Sequence, residues 1–309
     1  MSALGELRRL RPTEGSGPPR KRDNKAAFWF LLPWFAGLLL ITVGPIVASL
    51  VLGFTDYNLI QPPEFNGLAN FERMLTDTRL HSALRVTFTY VLVSVPLQLF
   101  CALGLALLLD RGLRGLAFYR SAFYLPSLLG SSVAIAVLWR QIFGAEGMVN
   151  QVLGLIGVQG RGWISDPDTA LSTLIVLNVW TFGAPMVIFL AGLRQIPVMY
   201  YEAAQVDGAG RWTQLWRITL PLLSPIIFFN LVLQIIHAFQ SFTQAFVVSG
   251  GSGGPSDSTM FYTLYLYQRG FNNFDMGYAS ALAWLLLVII AGFTAVNFWA
   301  AKRWVFYDD

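Results

Sequence analysis

The chain has 309 residues, of which 55% are hydrophobic, 15% aromatic and only 12% charged. Soluble globular domains carry about 25% charged residues, so this composition excludes an ordinary soluble domain and points to a bilayer, where charge is costly. The formal charge of +4 does not mark a nucleic-acid binder, and the single cysteine, Cys101, excludes an intrachain disulfide.

Residues 1–25 mix Arg and Lys with Gly, Pro and Ser and read as a disordered basic tail. The apolar run that follows is longer than the roughly 7–15 residues of a cleaved signal-peptide core, so it is expected to stay as a helix. From residue 26 to 309 the chain reads as one all-α integral membrane domain. A spanning helix needs about 20 apolar residues, and runs at about 28–54, 86–109, 119–140, 169–193, 221–248 and 276–301 qualify. Pro33, Pro45, Pro96, Pro126 and Pro185 fall inside these runs. Proline is tolerated there when neighbouring groups satisfy the freed carbonyls.

Orientation follows from Lys and Arg. With the N-terminus in the cytoplasm, the outer segments hold Arg73, Arg79, Arg85, Arg140, Arg161 and Arg269, and the inner segments hold all the rest of the 21 basic residues. Both termini are therefore expected in the cytoplasm. Two outer loops carry helical apolar spacing, Leu68, Phe71, Met74 and Leu75 in the first and Val149, Val152, Leu153 and Ile156 in the second. Both read as short helices covering the bundle, or as part of a docking rim for an external protein. The Ser249–Pro255 stretch is glycine-rich but lacks the Lys of a phosphate-binding loop, and no Lys in the chain follows a Gly. The chain has no nucleotide site of this kind. With histidine only at His81 and His237, it has no Cys/His metal spacing either.

A polar island, residues 195–221, separates the fourth and fifth runs. Val198–Val206 holds good helix formers after Pro197, Asp207-Gly208 is a turn dipeptide, and Trp212, Leu215 and Trp216 share a helical face. The pattern predicts helix, turn, helix projecting into the cytoplasm. Ala203 and Ala204 leave room for another backbone, and Glu202 offers one fixed charge to a basic partner.

Glu202-Ala203-Ala204, Asp207-Gly208-Ala209, Ile218, Leu220-Pro221 and Pro225 resemble the EAA loop of ABC importer permeases. Phe65–Phe71, Leu103–Leu109 with Arg120 and Tyr124-Leu125-Pro126, and Trp180 through Ala191-Gly192-Leu193 to Ile196-Pro197 are also similar to the carbohydrate-importer branch, the MalF-like or glycerol-phosphate-permease-like type. The extra spans and large outer domain of the maltose member are missing, so maltose is not implied. The resemblance implies a type I ABC importer permease fold of six transmembrane helices with a cytoplasmic coupling helix, in a bacterial or archaeal cytoplasmic membrane. It implies a non-catalytic subunit that forms half of a sugar path. Its partners would be a second, different permease, two copies of an ATPase that binds ATP and Mg, and an extracytoplasmic solute-binding protein. Glu202, Ala203, Ala204, Asp207, Gly208 and Ala209 would be the ATPase-coupling residues.

The path itself is sought among uncharged polar side chains, which are costly against lipid. In the fifth run Asn230, Gln234, His237, Ser241 and Gln244 recur every three or four residues, so one helix face carries them. Such a stripe suits sugar hydroxyls, with Phe239 and Phe242 available for ring faces; the competing reading is hydrogen-bonded glue between helices. Asn178, Thr181 and Phe182 in the fourth run and Ser131 and Ser132 in the third are further candidates. The resemblance also implies contact positions at Gln234, Ala238 and Ser241. The main alternative is a stand-alone channel or secondary transporter for a small polar solute. No buried carboxylate pair supports proton coupling, and no catalytic constellation supports a membrane enzyme.

Overall fold

The computed structural model describes residues 21–112 and 115–306. The expected basic tail lies outside the described residues up to position 20. Residues 21–25 are helical, not tail, because the first helix starts at Lys21. The chain divides into two compact units, the first ending at Val51.

In the first unit, α1 (Lys21–Gly37) passes through a π-helical turn, Leu38–Val43, into α2 (Gly44–Leu52). The turn sits where Pro45 has no N–H to offer, and the Gly44 N–H reaches back five residues to the Leu39 carbonyl. Phe28–Leu52 is long and apolar enough to cross a membrane.

The second unit opens with a short antiparallel pair, β1 (Thr55–Asp56) and β2 (Glu64–Phe65), with Thr55 opposite Phe65 and Asp56 opposite Glu64. Helix α3 (Ala69–Thr76) follows. It buries Asn70, whose amide donates to the Gly53 and Thr55 carbonyls at 3.0 and 2.9 Å, and Met74. Leu68 and Leu75 stay exposed, so only Phe71 and Met74 of the expected stripe face inward.

Asp77 caps α4 (Thr78–Leu109), accepting the Arg79 and Leu80 N–H groups at 3.1 Å. The helix begins eight residues before the apolar run, because the charged turns at Arg79 and Arg85 continue it beyond the apolar segment. It is the central element, packed against the helices of residues 167–180, 183–193 and 220–239.

The third run is the main departure from the predicted spans. It is two helices, α5 (Leu116–Leu129) and α6 (Val133–Ile142), bent by 96°. Ser132 caps α6 through the Ile135 N–H, and Gly130 sits against Thr181, where an added Cβ would fall 2.2 Å from the threonine methyl. Helix α7 (Met148–Leu155) half-buries Val149 and Leu153 but leaves Val152 and Ile156 exposed.

Helices α8 (Pro167–Trp180) and α9 (Gly183–Leu193) form the fourth span, interrupted at Thr181–Phe182. After α10 (Val198–Val206), the chain does not make a separate second helix. Instead α11 (Arg211–Gln214) runs through a π-helical turn, Leu215–Thr219, into α12 (Leu220–Phe239). Pro221 lacks the N–H that would bond the Arg217 carbonyl, and the Leu220 N–H reaches Leu215 O, widening the turn. The fifth run then breaks at Gln240–Phe242 before α13 (Thr243–Val248). A 3-10 turn at Pro255–Asp257, α14 (Tyr262–Tyr267), a π turn at Gln268–Asn272 and α15 (Met276–Trp304) complete the unit.

Candidate functional site: a polar pocket at three helix breaks and a projecting helical loop

The interruptions of the third, fourth and fifth spans meet. Between them lies a pocket of about 440 Å³. Its lining comes from α4 (Gln98), the α5–α6 break (Ser127, Ser131), the α8–α9 break (Asn178, Thr181, Ala184, Pro185) and the end of the fifth run from Gln234 to Gln244. Irregular backbone inside a membrane protein is stable only where it is buried in protein or lines a wet cavity.

Proline chemistry explains one break. Pro185 has no N–H, so the Thr181 carbonyl four residues earlier has no helical donor. Ser127 Oγ donates to it at 2.8 Å and Gln98 Nε2 at 3.2 Å, while the Ala184 N–H donates back to Ser127 Oγ at 2.8 Å. Gln98 also donates to Thr181 Oγ1 at 3.0 Å and accepts from Asn178 Nδ2 at 3.3 Å. Across the pocket Gln244 Nε2 donates to the Gly130 carbonyl at 3.2 Å, and Ser241 Oγ donates to Gln244 Oε1 at 3.2 Å. Among the described residues, no Asp, Glu, Lys or Arg lines this pocket. It offers amide and hydroxyl groups and His237.

Of the path candidates, Gln234, His237, Ser241, Gln244, Asn178 and Thr181 all line the pocket. Asn230 does not. It is 0% exposed, and its amide donates to the Ile226 carbonyl of its own helix at 3.1 Å. Nor does a single helix face carry the group, because α12 ends at Phe239 and the polar residues gather around the break. Ala238 is buried, and Phe239 is 2% exposed, closed off between Phe88 and Phe293. Sequence reasoning missed Gln98 and Ser127. The available signal was a polar side chain next to a proline in an apolar run, at Gln98 two residues after Pro96 and at Ser127 beside Pro126.

The projecting loop is built around Gly208. At φ +78° it occupies the left-handed region and ends α10: the Gly208 N–H bonds Gln205 O at 3.0 Å and the Ala209 N–H bonds Ala204 O at 2.8 Å. Gln214 Nε2 donates to Ala209 O at 3.0 Å, and the Tyr201 and Thr219 hydroxyls lie 3.0 Å apart, so the loop is tied to the start of the fifth span. Glu202, Ala203, Asp207 and Gly208 are exposed, whereas Ala204 and Ala209 are half-buried. Glu202 has no ion pair among the described residues. The surface around it is more apolar than the sequence suggested, with Val206 88% exposed and Trp212 71%.

At the start of the second span, Asp77 does more than cap α4. Tyr265 and Tyr278 both donate to its carboxylate, the latter at 2.8 Å, and Arg269 Nη2 lies 3.6 Å away. Burial opposes ionisation of Asp77. The hydrogen bonds from Tyr265, Tyr278 and the Leu80 N–H, with the Arg269 charge, outweigh it and hold the carboxyl below its ordinary value. Burial and the Asp77 contact push the Tyr265 phenol up to about 12. Arg73 to Asp275 at 2.8 Å and Arg79 to Asp257 at 3.0 Å extend the cluster.

A bundle of broken apolar helices around an uncharged polar pocket defines a multi-pass membrane protein. Residues 84–305 match the family described as the binding-protein-dependent transport system inner membrane component, and the chain belongs to that family. It is 51% identical over 291 residues to the probable ABC transporter permease protein YesP of Bacillus subtilis strain 168, covering 94% of each chain. It is 32% identical over 280 residues to the lactose transport system permease protein LacF of Rhizobium radiobacter, covering 89% of this chain and 93% of that one. It is 34% identical over 278 residues to the sulfoquinovosyl glycerol transport system permease protein SmoG of Agrobacterium fabrum, covering 89% of each. A solved chain from a bacterial ABC transporter involved in the import of the acidic polysaccharide alginate shares the fold, with a TM-score of 0.79 at 23% identity over 91% of this chain and 96% of that one. The fold is that of a type I ABC importer permease.

Proposed function

We propose that this chain is one permease half of an ATP-driven sugar importer, with the pocket at the three helix breaks as its part of the solute path. The observation that carries the reading is the composition of that pocket: amides and hydroxyls on frayed backbone, without a charged side chain among the described residues. Sugar hydroxyls need paired donors and acceptors of this kind. The cargo named for LacF and SmoG supports the same class.

The chain supplies no energy to this process in our reading. Glu202–Ala209 lies in the cytoplasm, with both termini, and seats in a cleft of a cytoplasmic ATPase. Glu202 meets a basic residue there, Ala203 and Ala204 allow close approach, and Gly208 sets the turn after Asp207. Two ATPase copies bind ATP and Mg, a second and different permease supplies the other half of the path, and an extracytoplasmic binding protein delivers the sugar. The membrane is the cytoplasmic one of a bacterium or archaeon. The subunit itself carries out no covalent chemistry.

The deciding experiment removes Glu202–Ala209 from the chain in an otherwise complete transporter. The expected result is loss of ATPase co-purification and of uptake, with the spans still inserted. Normal uptake without the loop would overturn the coupling assignment. It would favour a stand-alone channel or secondary transporter.

A further inference from the structure

One group of side chains beside the pocket takes no part in its hydrogen-bond network. Phe242, at the break after α12, lines the pocket. From it aromatic rings continue in unbroken contact. Phe242 lies 5.3 Å from Phe246 and 5.2 Å from Tyr267, centroid to centroid, and Phe246 lies 5.5 Å from Tyr267. Tyr267 stacks on Phe271 at 5.1 Å with the rings 27° apart. Phe271 is 55% exposed.

Two local devices hold this run. Tyr267 and Phe271 are four residues apart across the π turn at Gln268–Asn272, which sets them on one face. Gln268 Nε2 donates to the Gly251 carbonyl at 2.7 Å, pinning that turn to the glycine-rich loop. Gly251 has φ +80°, and a Cβ there would fall 3.2 Å from the Phe246 ring, so only glycine lets the loop lie so close to it.

The core cluster of Phe88, Phe239 and Phe293 reaches neither the pocket nor the surface through Phe239, which is 2% exposed. The run from Phe242 to Phe271 stays open, at the pocket at one end and at the surface at the other. A pyranose ring has the matching duality: a face of C–H groups that rests on aromatic rings and an edge of hydroxyls that needs amides. We infer that Phe271, Tyr267, Phe246 and Phe242 form an aromatic ramp that receives sugar rings at the outer surface and delivers them, edge first, to Gln234, Ser241 and Gln244. This rests on the reading of the pocket as the solute path.

The test uses thiol chemistry, which does not depend on which sugar is carried. In cells expressing the complete transporter, Cys101→Ser is combined with Phe271→Cys or with Gln234→Cys. Each is treated from outside with two membrane-impermeant methanethiosulfonates, one bearing a neutral glucosyl group and one a sulfonatoethyl group. The ramp predicts that Phe271→Cys reacts with both reagents, and with the glucosyl one faster by roughly two- to ten-fold, the scale of a ring contact. Adding Tyr267→Leu should abolish that advantage while leaving the sulfonatoethyl rate unchanged. A ratio of the two rates that does not change on adding Tyr267→Leu would overturn the ramp. So would an unreactive Phe271→Cys in cells where Gln234→Cys reacts, and in that case the pocket reading stands. If neither position reacts, in intact or permeabilised cells, the pocket reading falls as well. Reaction at both positions only after permeabilisation would overturn the ramp together with the orientation.

Discussion

Ser127 holds two backbone groups at the α8–α9 break, and removing its hydroxyl tests whether the break is built as described. In Ser127→Ala the Thr181 carbonyl keeps Gln98 as a donor at 3.2 Å, but the Ala184 N–H loses the acceptor it holds at 2.8 Å. A polar group left unpaired in the interior costs about 1–3 kcal/mol. Water reaching Ala184 from the pocket would set the lower end of that range. Ser94→Ala is the matched control. Ser94 is also buried, but its Oγ has no partner among the described residues, so its removal should cost nothing or stabilise slightly. The assay is thermal unfolding of the two purified variants beside the unsubstituted chain, in one detergent at one heating rate. Ser127→Ala should unfold at a lower temperature, and Ser94→Ala at the same or a higher one. The reverse order would refute the claim that Ser127 satisfies the proline-freed backbone.

Gly183→Ala should be worse than Ser127→Ala, because a Cβ there would lie 2.2 Å from the Phe123 carbonyl oxygen and 2.7 Å from Tyr124 Cα, forcing α9 away from α5. Overpacking of this kind costs about 1–3 kcal/mol or more, and the yield of folded chain and its melting temperature report it. Asp77→Asn should lower stability at neutral pH and flatten its dependence on acid. The Asp77 carboxyl is held below the ordinary carboxylate range, so its stabilisation is present above that range and is lost as pH falls through the folded pKa. The gap between the melting temperatures of the two chains should therefore start to narrow as pH falls below about 4 and keep narrowing with further acid, and a constant gap across that range would contradict the ionised cluster. Gln234→Leu and Ser241→Leu should impair uptake while leaving assembly with the ATPase intact. Unchanged uptake in both would make these residues packing groups.

The spans were legible because an uncharged apolar run of twenty or more residues is seldom stable anywhere but in a bilayer. Each of the six expected runs overlaps one of the long apolar helical segments, or the bent pair, most of which extend beyond it. The breaks were not legible, although the prolines were noted. What ends a helix is where its freed carbonyl finds a donor. For Thr181 the donors are Ser127 and Gln98, which lie 54 and 83 residues away in the chain. The same distance problem hid the Asp77 cluster, whose tyrosine partners are 188 and 201 residues further on. Periodicity in the fifth run brought Asn230 into the candidate set, since a repeat of three or four says nothing of how far along a helix its polar face lines a cavity. The turn at Gly208 was legible because Asp-Gly specifies its own geometry locally.

Whether this chain moves sugar only as part of an ATP-driven assembly is decided by comparing proteoliposomes that hold it alone with ones that also hold the second permease and the ATPase. Sugar uptake is followed with the binding protein outside, with and without ATP inside. A permease half predicts uptake only in the complete assembly and only with ATP. Uptake by the chain alone, or by the assembly without nucleotide, would contradict it.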